Sequence, residues 1–234
     1  MLLTLVFITT IPVQSRANPS GIDFYSPTSL PGGLKSIDPI AHKWWIYRYN
    51  QPNSYNTQWP ICSKGDGGLV GNRSVVFLGD PAESAGGGNV NATHQVCQIG
   101  SSQLLYLSVY EGECSQAEQP GETVPQLLSC AQDVNKVIKL MRATVDGMDV
   151  SSKIVREDAS KPFNLTLSSK DNSMNKPLPC CGLSMDENYY LFFKPLPVGT
   201  HTITVEVIRV PLQSNQPVEH DLVNWKINVV PSHT

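Results

Sequence analysis

Six cysteines constrain this chain more than any other feature: Cys62, Cys97, Cys114, Cys130, Cys180 and Cys181. Chains that carry cysteines in such numbers beside secretory signals fold in an oxidising compartment, where thiols cross-link instead of staying reduced. Six cysteines allow fifteen pairings. Neighbour order pairs Cys62 with Cys97 and Cys114 with Cys130 and leaves Cys180 beside Cys181, although spacing does not settle the connectivity. Three sequons, at Asn72, Asn91 and Asn164, mark positions that are exposed wherever the host glycosylates them. The uncharged run Leu2 to Ile11 (LLTLVFITTI) has the length of the hydrophobic part of a signal peptide and falls short of the roughly twenty residues that span a bilayer. Residues 1–17 are therefore expected to be a cleaved signal peptide, with Val13, Ser15 and Ala17 as small residues near the cut. No Lys or Arg precedes the run, so either the start lies upstream of Met1 or the segment is a buried strand. The expected location is secreted, extracellular or at the cell surface.

The 17 Lys and Arg against 20 Asp and Glu are nearly balanced and unclustered, which argues against a nucleic-acid partner or an anionic lipid surface. The rest of the chain has no stretch long and apolar enough for a transmembrane segment. Only 16% of residues are charged, whereas Gly, Pro, Ser, Thr and Asn abound, as expected of short strands joined by turns.

Residues 18–39 read as an extended arm with turns at Pro31-Gly32-Gly33 and Asp38-Pro39, and residues 40–234 as one disulfide-bonded domain. His42 to Cys62 holds three of the four tryptophans, and whether Trp44 to Tyr49 begins a helix or an edge strand is open over so few residues. SVVFLG (Ser74 to Gly79) reads as a buried strand followed by a glycine-rich loop. THQVCQI (Thr93 to Ile99) and QLLYLSVY (Gln103 to Tyr110) read as a hairpin about Gly100-Ser101-Ser102. From Thr123 to about Met141 apolar residues recur at three and four, with Thr123 as N-cap and Pro125 in the first turn, which predicts one amphipathic helix. Strands return at RATVDG and MDVSS around an Asp146-Gly147 turn, then PFNLTLS, NYYLFFK, HTITVEVIRV and DLVNWKINVV. The last two alternate cleanly and predict an antiparallel sheet with one wet face.

Trp44-Trp45, Cys62, VVFLG at Val75 to Gly79, Cys97 and LPVGTHTITV at Leu196 to Val205 follow one another in an order that resembles a group of uncharacterised secreted β-sandwich proteins of archaea and bacteria. The resemblance covers most of the chain after the arm. It implies a sandwich or jelly-roll-like fold with bridges like those above, and it brings no activity and no catalytic residue. The adjacent Cys180-Cys181 departs from that group.

Candidate sites each stand beside a plainer reading. Trp44, Trp45, Tyr47, Tyr49 and Trp59 form the densest aromatic patch, suited to stacking on a sugar or peptide or else to filling a core. Cys180 and Cys181 either form a structural disulfide or, as free thiols near Met174 and Met185, offer soft ligands to copper. The five histidines show no metal-ligand spacing; Glu219, His220 and Asp221 are the one loop cluster of note. No nucleophile elbow, phosphate loop or dinucleotide fingerprint is present. Asp186-Glu187 and Glu111/Glu113 are carboxylate pairs of the type glycoside hydrolysis needs. Ile22, Phe24, Tyr25, Leu30 and Leu34 give the arm the apolar residues for strand addition to another copy.

The sequence thus predicts a mainly β protein: an antiparallel, jelly-roll-like β-sandwich with one inserted α-helix. It implies no cofactor. The expected function is a non-catalytic surface or extracellular structural or binding protein whose partner is itself, a glycan or another protein. The alternatives are a secreted hydrolase using loop carboxylates and a copper-binding protein using the vicinal cysteines.

Overall fold

A computed structural model describes residues 21–52, 62–63, 67–79, 90–157, 161–210 and 218–232, with backbone alone for 90–96 and 134–135. The expected leader, residues 18–20 of the arm, Trp59, nearly all of the glycine-rich loop and the side chain of Asn91 lie outside these. In chain order the described elements are α1 (Asp38–Tyr49), β1 (Leu69–Val70), β2 (Arg73–Leu78), β3 (Val90–Gly100), β4 (Leu104–Ser115), α2 (Val124–Gln132), α3 (Val134–Val137), β5 (Ile138–Val145), β6 (Met148–Asp149), β7 (Val155–Glu157), β8 (Phe163–Thr166), β9 (Cys181–Phe193), β10 (Gly199–Arg209) and β11 (Glu219–Val230).

The fold is mainly β, in two sheets. The first runs β1-β2-β4-β9-β7, with β8 also on β9; the second runs β3-β11-β10-β5-β6. Their facing sides share one apolar core: Leu105, Leu107, Leu191 and Phe193 from the first meet Ile203, Val205, Trp225 and Ile227 from the second. The alternation in the last two strands produces this face. Ile203, Val205 and Val207 are buried, as are Val223, Trp225, Ile227 and Val229, and the two strands pair antiparallel.

Two sequence expectations about pairing are corrected. β3 and β4 do not form a hairpin. β3 pairs parallel with β11 and β4 pairs parallel with β2, so the sheets are mixed and the turn at Gly100 carries the chain from one sheet to the other. The cause is burial: Leu104 to Glu111 is continuously buried, which demands cover on both faces, as a central strand has and a one-sided hairpin does not. The turn is held by the Gly100 N–H donating to Gln103 Oε1 at 2.7 Å and the Ser101 N–H to the Val230 carbonyl at 2.8 Å.

The predicted helix of Thr123 to Met141 begins where expected, with Thr123 and Gln126 in a capping box and Pro125 in the first turn. It ends early. α2 stops at Gln132, α3 adds one turn, and Ile138 to Met141 open β5, because pairing with β10 satisfies their backbone groups and carries Ala143 and Val145 into the core. The Asp146-Gly147 turn joins β5 to β6 as expected, with φ of 50° and 77° at its two central residues.

The disulfides are Cys62–Cys97, Cys114–Cys130 and Cys180–Cys181, and no described cysteine is free. The second fastens α2, whose Leu127 and Ala131 are buried with Met185, to the end of β4. No described helix is long and apolar enough to cross a membrane.

Candidate functional site

The outer face of the first sheet carries α1, and between them lies a layer of buried polar groups. Helix α1 starts with Asp38 and Pro39, residues suited to a first turn, and ends with Arg48 in its last. Its buried side is mixed: Ile40, Ala41, Trp44 and Trp45 are apolar, whereas Asp38, His42, Arg48 and Tyr49 bring polar atoms against the sheet.

The sheet answers with acids. Glu111 and Glu113 reach this face because β4 bulges at Val109: Ser108 is opposite Tyr190 and Tyr110 is opposite Tyr189, so one extra residue shifts the alternation. Glu111 accepts from the Trp44 indole N–H, the Arg48 guanidinium and the Ser108 hydroxyl. Glu113 accepts from the Tyr49 hydroxyl at 2.6 Å and from Ser184. From β9, Asp186 lies 3.4 Å from His42 Nε2, and Asn188 accepts from the Trp45 indole N–H at 3.2 Å. The Asn188 amide donates to Asp186 at 2.8 Å and to Glu157 of β7 at 2.9 Å, and Asp38 lies within electrostatic reach of Glu157. The Tyr106 hydroxyl, fully buried, lies within electrostatic reach of Glu157, Glu111 and Asp186 and has no hydrogen-bond partner among the described residues.

Burial favours the protonated form of two of these acids. Burial pushes the Glu113 carboxyl up to about 7, against the opposing pull of the Ser184 and Tyr49 hydroxyls. Burial, then the charge of Asp186, pushes Glu157 well above the usual carboxylate range. Burial likewise raises Tyr106 and Tyr49. Among the described residues no three His, Cys, Asp or Glu are arranged to hold a metal ion.

The sequence-predicted residues fall as follows. Trp44 and Trp45 are 0% and 2% exposed, and their rings pack inside the layer; Tyr47 and Tyr49 are half-buried beside them. Glu111 and Glu113 share a face, whereas Asp186 and Glu187 point to opposite faces of β9, where Glu187 meets Arg156. Cys180 and Cys181 are bonded to each other and pack against the α1 layer. Glu219 and Asp221 hold Arg209 at 3.1 and 2.7 Å, and His220 meets Glu206. Asn72 and Asn164 are exposed. Of the arm residues, Ile22 is buried in the main core, and Phe24, Tyr25, Leu30 and Leu34 pack on their own domain. Asp38, Glu157, Asn188 and Tyr106 were not singled out by sequence reasoning; a signal for them was that polar residues interrupt otherwise apolar strands and the tryptophan-rich segment.

No family model matches the chain, and no curated protein does. Among solved structures, the solution structure of Amebosin aligns at 12% identity over 62% of this chain and 100% of its own, with a TM-score of 0.21. The crystal structure of EhICP2, a cysteine protease inhibitor from Entamoeba histolytica, aligns at 12% identity over 61% of this chain and 94% of its own, with a TM-score of 0.20. Likeness at that level carries no argument about fold or function.

Proposed function

We propose that the protein is a non-catalytic structural or binding protein of the extracellular space that associates with copies of itself by exchanging its N-terminal arm. The observation that supports this reading is how the arm sits. The outer edge of β9 is covered in three pieces: β8 pairs along Cys181 to Ser184, β7 along Asn188 to Tyr190, and the arm takes the last stretch. There the Tyr25 N–H donates to the Phe192 carbonyl at 2.8 Å and the Lys194 N–H to the Asp23 carbonyl at 2.9 Å. Phe24 lies 4.7 Å from Phe193 and Tyr25 5.3 Å from Phe192, ring centre to ring centre. The turn after it, Ser26 to Ser29, is exposed and bonded mainly to itself, so it can serve as a hinge.

An edge that accepts the chain's own arm accepts an identical arm from a neighbour with the same contacts, which is why such exchange costs little at equilibrium. Reciprocal exchange gives a dimer, and head-to-tail exchange gives a ring or a filament. The three disulfides suit an oxidising compartment, and exposed Asn72 and Asn164 suit a glycosylated one.

The test compares the chain starting at Asn18 with one lacking residues 18–25, by light scattering across a dilution series. The intact chain is expected to associate. The truncated one is expected to be a folded monomer that takes up a synthetic peptide of residues 18–30. Equal association of the two chains, or an intact chain that is monomeric at every concentration, would sink the reading.

A further inference from the structure

We infer that one ion pair, Asp23 with Lys194, restricts the β9 edge to the arms of identical chains and turns away foreign strands. The inference rests on arm exchange and names what decides the partner.

The contacts that hold the arm differ in how much they discriminate. The two main-chain hydrogen bonds, from the Tyr25 N–H to the Phe192 carbonyl and from the Lys194 N–H to the Asp23 carbonyl, are blind to side chains and form with any extended segment. Ile22, 1% exposed in the main core, asks only for an apolar residue of its size. Phe24 and Tyr25 ask for rings beside Phe193 and Phe192. Such residues are those that strands favour in general, so these contacts bind without choosing. Gly21 narrows the choice, because its φ of +67° favours glycine.

Charge narrows it further. Lys194 Nζ lies 3.5 Å from Asp23 Oδ2 and 5.9 Å from the centre of the Tyr25 ring, so one edge lysine faces two residues of the arm. The main-chain bond between Asp23 and Lys194 brings these two side chains together whenever a strand adds in this register. A neighbour's arm meets the same lysine, whereas a segment with a basic residue at the second place sets like charge against like, a repulsion that serves selectivity. The lysine and aspartate side chains are 44% and 68% exposed, so water and salt screen the pair and it adds little to affinity. Its effect is on the choice of partner.

Exchange gives the pair a thermodynamic signature. A closed monomer and an exchanged assembly make the same contact between residues 23 and 194, so reversing one charge weakens both equally and leaves self-association as it was. A mixture of Asp23→Lys with Lys194→Asp behaves differently. Each closed monomer then holds like charges together, whereas exchange between the two variants sets a lysine against an aspartate at every arm.

The test uses the disulfide-bonded chain from Asn18, as wild type and as each variant, in light scattering across a dilution series at low salt. Each variant alone is expected to associate like wild type. Their equimolar mixture is expected to associate at about twenty-five-fold lower concentration, roughly fivefold for each of the two pairs in a reciprocal assembly. Salt at about 1 M is expected to erase that difference, because the screening length falls to about 3 Å. The double variant, whose own arm and edge match, is expected to associate like wild type, and energy transfer between labelled chains is expected to show it avoiding mixed assemblies with wild type. A mixture no tighter than its components, or an advantage that survives about 1 M salt, overturns the inference while arm exchange in wild type stands. Failure of arm exchange itself looks different, with wild type and mixture monomeric alike, and it removes both readings.

Discussion

Glu111 shows what a single buried charge does here. It accepts from an indole, a guanidinium and a hydroxyl at once, so removing it takes a charged acceptor from Arg48 and Trp44 inside a buried layer. Breaking a buried pair from one side costs about 3 to 5 kcal/mol, more than the pair contributes over an apolar substitute. Glu111→Ala is therefore expected to lower the unfolding free energy in urea by that amount, while Glu111→Gln, which retains an acceptor, loses less. Glu113 behaves differently because burial outweighs the pull of its hydroxyl neighbours. Its carboxyl is raised from 4.5 to about 7, so the folded state binds a proton that the unfolded state has lost in that interval. Its contribution is fully present below about pH 4.5 and is lost as pH rises through about 7, a change on the order of 3 kcal/mol. Unfolding measured at about pH 5 and about pH 8 is expected to show greater stability at the acid end, and Glu113→Gln to remove that share of the difference.

Among the elements, the arm depends on a close backbone approach to the β1–β2 turn. Gly32 has φ of +63°, and a Cβ there would lie 2.6 Å from the Gly71 nitrogen and 2.9 Å from Val70 Cγ1. Gly33, with φ of +73°, has nothing within 4 Å of the same atom. Gly33→Ala is expected to cost about 1 kcal/mol from backbone strain alone, and Gly32→Ala clearly more, because the β1–β2 turn must also move. Thermal unfolding of the two variants side by side checks this. The contrast between elements also explains what could be read beforehand. β10 and β11 were legible because one face is wet and the other dry, so composition reports orientation directly. α1 left helix and strand undecided because its buried face holds Asp38, His42 and Arg48, which erases the apolar stripe that marks a helix. The end of α2 was misplaced because Val137 and Ile138 fit a helical period, yet β10 offers Ile138 to Val145 a ladder that no local pattern records. The acid layer was legible as residues and illegible as a site. The Glu111/Glu113 pair is visible in sequence, but the bulge at Val109 that aims both at the helix, and the strand partners Asn188 and Glu157, exist only once β4, β7 and β9 are side by side.

At the scale of the molecule, two sheets share a core and the disulfides constrain that arrangement to unequal degrees. In the chain-entropy account a bridge stabilises by shrinking the unfolded ensemble, and the effect grows with the logarithm of the loop it closes. Cys62–Cys97 closes 35 residues and ties the β2 edge of the first sheet to β3 of the second; Cys114–Cys130 closes 16 and fastens α2 to β4. Those separations correspond to about 4 and about 3 kcal/mol. Cys180–Cys181 joins neighbours, so it removes almost no loop entropy and acts on its own loop. Loss of Cys97 also empties part of the main core, which widens the gap between the first bridge and the second. Three paired cysteine-to-alanine variants, unfolded in guanidinium without reductant, are therefore expected to fall in the order 62/97 most destabilised, 114/130 next and 180/181 close to wild type. If the 180/181 variant lost as much as the 62/97 variant, loop closure would not be what these bridges contribute, and the sheet-to-sheet bridge would have no special place in holding the molecule together.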